Sequence, residues 1–544
     1  MKTREHFFFK ISKNDFQEVD TTASIVENLR LPKNIFPPEF FIKKKNFFCA
    51  GYFVCYDQDL SSKQIVELCE GHEWEYITHL IGDFLIFYCD LASKRLFVLT
   101  DQTGKFPCYF SITDDEFIIS TSFYAIVKAL RSPRMDTIGA LDFLHRNNNV
   151  TDRTIIQGIR QIPPATLLIV NQDGSCSLKS LINIDAFINQ PFKRYSSIEK
   201  FGDAFFSTLE KLVRERLGKI KGLRFGSEIS SGFDSSLISY LLKKNSRTPF
   251  VCYSRAAKAA VRDSNPKIVS EFAKKHKLDV KFIPYDHIFP FSTKEDLEWI
   301  RQVPNQIIKS EVYHHFLIMH QDENVIYFTG DGGDEIYHMD ENTQNLYLRF
   351  PVQMEYFERL SMRELGIDKL LTKKGLEVLF DRERFAQKRA YPLYISTSAA
   401  TIHTDTFPLS WETKMWPMTP LADPRLVWVA RGIPTVSGKT ASKPKQQVWE
   451  HRRDIFPAGH FIPKARGGPD DQIKRYLTER SGFVISVLEN SLLSEKGWVK
   501  SSEIVSNVRK GSVHGYFGSN IISYLANLIE LEYFLQQNGV KVPN

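Results

Sequence analysis

The sequence has no CxxC pair, no internal repeat, no low-complexity linker and no long block of like charge. Nor does it have an apolar run near the ~20 residues that a helix needs to cross a bilayer. Its seven cysteines in 544 residues, at 49, 55, 69, 89, 108, 176 and 252, make no even framework. Such spacing argues against a disulfide scaffold or a zinc ribbon, and reads as reduced, mostly buried thiols of a cytoplasmic protein. The missing apolar run argues against a membrane span. At the start, MKTREHFFFKISKND sets charge on both sides of three phenylalanines, a cluster too short for a signal-peptide core. Lys and Arg number 71 against 64 Asp and Glu, for a net charge of +7, yet the densest basic run is only Lys43-Lys44-Lys45. With no RNA-binding module and no aromatic–basic repeat, a nucleic-acid partner is not expected. A mildly basic surface still suits an anionic nucleotide.

What is present is ordinary globular material, 42% hydrophobic and 25% charged. The length predicts two to four domains at about 100–200 residues each. Residues 1–190 are β-rich, with short aromatic and β-branched runs at 84–90, 95–101, 108–113, 117–122 and 165–170 separated by turn residues. They predict an antiparallel sheet system. From Ser196 the texture changes. Ile198, Phe201, Phe205, Leu209 and Leu212 follow a Ser cap at helical spacing. Then come strand 223–230, helix 235–244, strand 249–254, helix 266–277, strand 279–284 and strand 324–329, with mainly helical pattern after 340. This alternation predicts an α/β fold with a doubly wound parallel sheet and a helical extension over 191–544.

In such a sheet ligands sit beyond the carboxyl ends of the strands. SEISSGFDSSLISYLLKK, residues 227–244, places Ser230, Ser231, Gly232, Asp234, Ser235 and Ser236 there, at the start of a helix. Gly232 permits a positive φ that would converge amide N–H groups on an anion. The helix dipole and the hydroxyls add to this. Asp234 would repel a bare phosphate and so asks for a cation, with Mg²⁺ on a pyrophosphate as the natural answer. No Lys follows the last Gly, so this is not a GxxxxGK[ST] loop. An ordinary helix cap with spare serines would explain this stretch alone. NVIYFTGDGGDEIY, residues 324–337, repeats the design, with Gly330, Gly332 and Gly333 beside Asp331, Asp334 and Glu335. Two such loops at neighbouring strand ends are suited to the phosphates of ATP.

The two stretches resemble the SGGxDSS and GxGSDE motifs of the asparagine synthetase family, with Ser231 for one Gly and Gly333 for one Ser. GDFLIFYCDLASKRLFVLTDQTGKFPCYF (82–110), TIIQGIRQIPPATLLIV (154–170) and MTPLADPRLVWVARGIP (418–434) resemble further family segments. The resemblance implies an amidotransferase-like antiparallel β-sandwich over 1–190 and an ATP-pyrophosphatase domain over 191–544. The implied chemistry is adenylation of a carboxylate, release of pyrophosphate, and amide formation by an amine. It further implies Asp234 and Asp334 as Mg²⁺ ligands and the 230–236 and 330–333 loops as the pyrophosphate site. Tyr253 and Ser254 would lie beside the adenine. The catalytic candidates are Asp234, Glu335 and a late cation, Lys464 or Arg466, with Lys464 the better match.

The departures point to a branch. Glutamine-using members carry a Cys at position 2, where this sequence has Lys2, and the family's NGE-type motif is absent. Glutaminase activity is therefore not expected. The family's VEARVPFLD reads MWPMTPLAD at 415–423, which puts free aspartate in doubt as substrate. The branch most similar is the lasso-peptide cyclases, joining an Asp or Glu side chain to the peptide's N-terminal amine. Their partners would include a precursor-peptide protease and a leader-binding protein. A ligase using free ammonia and a β-lactam synthetase remain alternatives on this reading, as does a binding module that keeps only the fold.

Overall fold

In the computed structural model the described residues are 7–12, 29–30, 36–144, 152–182, 190–256, 265–284, 297–298, 301, 325–333, 367–379, 411, 415–434, 448, 451–456, 477–511 and 513–543. Two antiparallel sheets open the chain. β1 (Phe8–Ser12), β2 (Leu29–Arg30), β7 (Cys108–Ile112), β8 (Glu116–Ser120) and β9 (Ile159–Ile162) pair in the order β2-β1-β8-β7-β9. β3 (Glu39–Lys43), β4 (Phe47–Cys55), β5 (Gly82–Asp90), β6 (Arg95–Thr100), β10 (Thr166–Val170) and β11 (Cys176–Ser180) pair in the order β11-β10-β6-β5-β4-β3. All five strand runs read from the sequence in this half are strands.

Side chains alternate across a strand, and here both faces are buried. Phe117 and Ile119 of β8, with Leu85 and Phe87 of β5, fill the space between the sheets. Ile118, between the first two, turns outward against Phe123, Leu525 and Phe534. Phe84, Ile86 and Tyr88 of β5 turn outward against Ile65, Val66 and Trp74. Two helical layers therefore cover the expected sandwich. α1 (Ser62–Glu70) and α2 (Trp74–His79) lie on the six-stranded sheet. α3 (Phe123–Ala129), α4 (Thr137–Leu144) and the carboxy-terminal helices α9 (Ser481–Glu489), α10 (Ser501–Arg509) and α11 (Val513–Gln537) lie on the other. The last helices thus dock on the first domain, where Phe534 stacks on Phe123 with centroids 5.9 Å apart.

The third sheet is parallel throughout. β12 (Arg224–Glu228), β13 (Val251–Ala256), β14 (Asp279–Pro284), β15 (Val325–Phe328) and β16 (Met415–Met418) stand in the order β14-β13-β12-β15-β16. α5 (Ile198–Lys219), α6 (Phe233–Asn245) and α7 (Asn265–His276) match the expected helices within a few residues. Ser197 caps α5 by accepting from the Lys200 amide, and Phe201, Phe205, Leu209 and Leu212 are buried along one stripe, as their spacing predicts. β16 was not predicted. It is four residues long and contains Pro417, which a strand tolerates at the edge of a sheet.

Candidate active site

The order of the parallel sheet reverses between β12 and β15. The chain leaves β12 for β13 on one side and returns to β15 on the other. Such a reversal opens a crevice beyond the carboxyl ends of the two strands. Ser227 stands opposite Phe328 in the ladder, so the loops that follow leave the sheet side by side. Each is tied at its root to the next strand: the Ile229 amide donates to the Tyr253 carbonyl, and the Thr329 amide to the Met418 carbonyl, both at 2.9 Å.

Serine hydroxyls shape the first loop. The Gly232 amide donates to Ser230 Oγ at 3.0 Å. Ser230 Oγ and Ser235 Oγ are 2.9 Å apart. Ser236 Oγ donates to the Ser230 carbonyl at 2.6 Å. Gly232 is the N-cap of α6 with φ −78° and ψ 157°, so the positive φ expected of it is not there. The hydroxyl bracing turns the chain without a left-handed residue. Ser231 is buried and Ser236 wholly so, which makes Ser236 a brace under the loop. No side chain caps α6, and Asp234 sits in its first turn. The first-turn amides of a helix lack intrahelical acceptors, and they carry the positive end of the helix dipole.

The second loop closes on the first. A Cβ on Gly330 would lie 2.6 Å from the Ser235 amide nitrogen and 3.0 Å from Ser235 Cα. One on Gly333 would lie 2.3 Å from the Asp234 carboxyl carbon and 2.5 Å from its Oδ1. Only glycine allows this approach. Positive φ occurs at Gly332, at +89°, where a side chain would be strained. Thr329 Oγ1 donates to Asp331 Oδ2 at 2.7 Å, orienting that carboxylate. The two loops that the sequence singled out, about a hundred residues apart, are therefore in direct contact through Ser235 and Asp234.

A third wall went unread. A Cβ on Gly332 would lie 3.2 Å from the Ala422 amide nitrogen, so the 420–422 turn after β16 backs the second loop. Its sequence signal was Pro420 after a short apolar run, too little to announce a strand. Tyr253 and Ser254 lie within β13, two residues short of its end, both buried. The Tyr253 ring packs over Gly226 and clusters with Ile283, Tyr327 and Met415, and burial raises its hydroxyl pKa. Asp334, Glu335, Lys464 and Arg466 lie outside the described residues. Among the described residues no three acids, histidines or cysteines gather as a metal cluster. The Asp234 carboxylate is a hard oxygen donor of the kind Mg²⁺ takes beside nucleotide phosphates.

Two family models match the chain: a glutamine amidotransferase domain over residues 62–180 and asparagine synthase over residues 204–437. No curated protein matches. Among solved structures the chain is similar to the U34-tRNA thiolase NcsA from Methanococcus maripaludis with its 4Fe-4S cluster. Identity there is 12%, over 60% of this chain and 88% of that one, with a TM-score of 0.24. It is similar also to the glutamine phosphoribosylpyrophosphate amidotransferase from B. subtilis complexed with ADP and GMP, at 10% identity over 56% of this chain and 60% of that one, TM-score 0.18. An allosteric regulatory enzyme of purine biosynthesis matches at 11% over 46% and 63%, TM-score 0.17. At such low TM-scores the fold rests on the sheet order itself.

Proposed function

We infer the reaction from one premise: the chain has the architecture of the asparagine synthetase family, an amidotransferase-type domain followed by an ATP-dependent adenylating ligase domain. The division lies at about residue 190, where the β-rich half ends and the helix–strand alternation begins. In this reading a substrate carboxylate attacks the α-phosphate of ATP. Pyrophosphate leaves, and an amine then attacks the acyl-adenylate to form the amide and release AMP. The carrying observation is the contact of Gly333 with Asp234, which brings both glycine loops to one ligand at the switch point. The first turn of α6, with Ser230 and Ser235, binds and orients the departing pyrophosphate. Asp234, with Asp334, would hold Mg²⁺, which when bound neutralises phosphate charge. Lys464 supplies fixed positive charge for the adenylate. Tyr253 and Ser254 flank the base.

The substrate we propose is a peptide, cyclised between an Asp or Glu side chain and its own N-terminal amine, as in lasso-peptide cyclases. Tethering makes the amine effectively concentrated, so the reaction needs no ammonia source. Two features support this. Asp423 is engaged by Arg216 of α5 and by Arg425, at 3.0 and 2.9 Å, and Arg425 also by Glu215 of α5 at 2.8 Å, so the charges at 423 and 425 are answered within the protein rather than by a free amino acid. Nor does this sequence offer a glutaminase thiol. Cys49, Cys55, Cys69, Cys89, Cys108 and Cys252 are buried, and Cys176 is part-buried on β11. Burial pushes Cys55 and Cys252 up to about 12 and raises Cys49, Cys89 and Cys108 as well. None of these five is a thiolate at neutral pH. The buried thiols also suit a cytoplasmic enzyme working beside a precursor-peptide protease and a leader-binding protein.

The test is mass spectrometry of candidate core peptides incubated with ATP and Mg²⁺. We expect AMP and pyrophosphate as products and a peptide lighter by one water. ADP and orthophosphate as primary products would refute the adenylation reading. Asparagine formed from aspartate and ammonia, with no peptide product, would replace the peptide by the free amino acid. Incubation with glutamine is expected to release no glutamate; measurable release would sink the loss of glutaminase.

A further inference from the structure

The first domain meets the parallel sheet through a buried polar joint. Asp83 near the start of β5, Tyr56 just after β4, and Trp416 in β16 are each no more than 6% exposed. The Asp83 carboxylate accepts from the Tyr56 hydroxyl at 2.7 Å and from Trp416 Nε1 at 2.9 Å. The Arg216 guanidinium of α5 lies 4.5 Å from the Tyr56 ring centroid, and Arg216 donates to Asp423 at 3.0 Å. Burial pushes the Asp423 carboxyl up, but Arg216 and Arg425 outweigh it and hold it below its ordinary range. Asp423 caps the helix α8 (Pro424–Ala430), accepting from the Arg425 amide. The turn it closes carries Ala422, against which Gly332 rests.

Buried charge is poor glue. Apolar side chains of the same volume commonly hold a joint as well or better. What directional bonds add is registry. Trp416 can reach Asp83 at one height of β16 relative to the sandwich, and Asp423 can reach Arg216, itself seated on the Tyr56 ring, at one height relative to α5.

We propose that Asp83 and Arg216 are positioning residues for the synthetase site. Directly through Trp416, and through the Tyr56 ring on Arg216 and so on Asp423, the first domain holds β16 and its turn at the height where Gly332, and with it the 329–333 loop, closes on Asp234. The first domain thereby acts on the ligase centre as its outer jig. The functional consequence rests on the adenylation reading above; the mechanical one does not.

Two variants test it, Asp83→Asn and Trp416→Phe, each close in shape to the original. Amide hydrogen exchange in the ligand-free full chain is read at 329–333 and 420–423, with the β1–β8 ladder as internal control. MgATP affinity is measured by calorimetry. We expect exchange in the two loops to quicken and MgATP affinity to fall, each by at least about tenfold, the loss expected of a hydrogen bond to a charged group. The control ladder should stay unchanged. A joint that is only glue would quicken exchange on both sides alike, or leave loop exchange and affinity within about twofold, less than the loss of such a bond; either result overturns the proposal. If Asp83→Asn fails to fold, Trp416→Phe decides. If the wild-type chain binds no MgATP, the adenylation reading falls, and the loop exchange alone judges the positioning role.

Discussion

Asp234→Asn is expected to abolish the formation of AMP and pyrophosphate proposed above while the protein stays folded. The carboxylate stands in the first turn of α6, over Gly333, where the two glycine-bearing loops meet. Asn keeps the size and one oxygen but loses the charge that would hold a divalent cation. Lewis-acid stabilisation is worth several kcal/mol. At 1.36 kcal/mol per decade that predicts a fall of about 10³-fold or more in turnover. The structural cost is small by comparison: a carboxylate at a helix N-terminus contributes about 0.3–1 kcal/mol. Turnover and thermal melting measured on the same preparation separate the two. A melting shift of a few degrees with near-normal turnover would refute the role assigned to Asp234.

The second large effect comes from two glycines that look alike in sequence. Gly330→Ala drives a methyl into backbone, the Ser235 nitrogen at 2.6 Å and the Asp234 carbonyl carbon at 3.1 Å. Neither atom moves unless the start of α6 moves, and overpacking of this kind costs about 1–3 kcal/mol. Stability and MgATP binding should fall together. The nearest atoms to a methyl at Gly333→Ala are all of the Asp234 carboxylate, at 2.3–2.8 Å, and a side chain can turn away. Stability should hold, but the carboxylate is displaced, and a misplacement of about 1 Å costs about 10²-fold in rate. Melting curves and steady-state rates for the pair check this. Equal loss of stability in both variants, or an active Gly333→Ala, would show that the loops do not meet as described.

The sequence by itself determined what depends on near neighbours. The short continuous apolar runs of β5, β6, β7 and β8, the 3.6-period stripe of α5 behind Ser197, and the alternation from Arg224 onward are signals written within a few residues. The serine–glycine–aspartate and glycine–aspartate loops were legible for the same reason, since a strand, small residues and a helix follow one another in the chain. β16 was illegible because four residues with a proline carry no period. Gly232 was misjudged because its φ follows from hydroxyl bonds to Ser230, not from its own freedom.

Tertiary structure alone decided what meets what. That β15 pairs with β12 rather than β14, that Gly330 and Gly333 rest on Ser235 and Asp234, that Trp416 finds Asp83, and that the last helices dock on β7 and β8 are all pairings across long stretches of chain. No local pattern encodes such a choice. It is made by which faces can be buried together and which buried polar groups can be satisfied at once, and those conditions exist only when the whole chain has closed on itself.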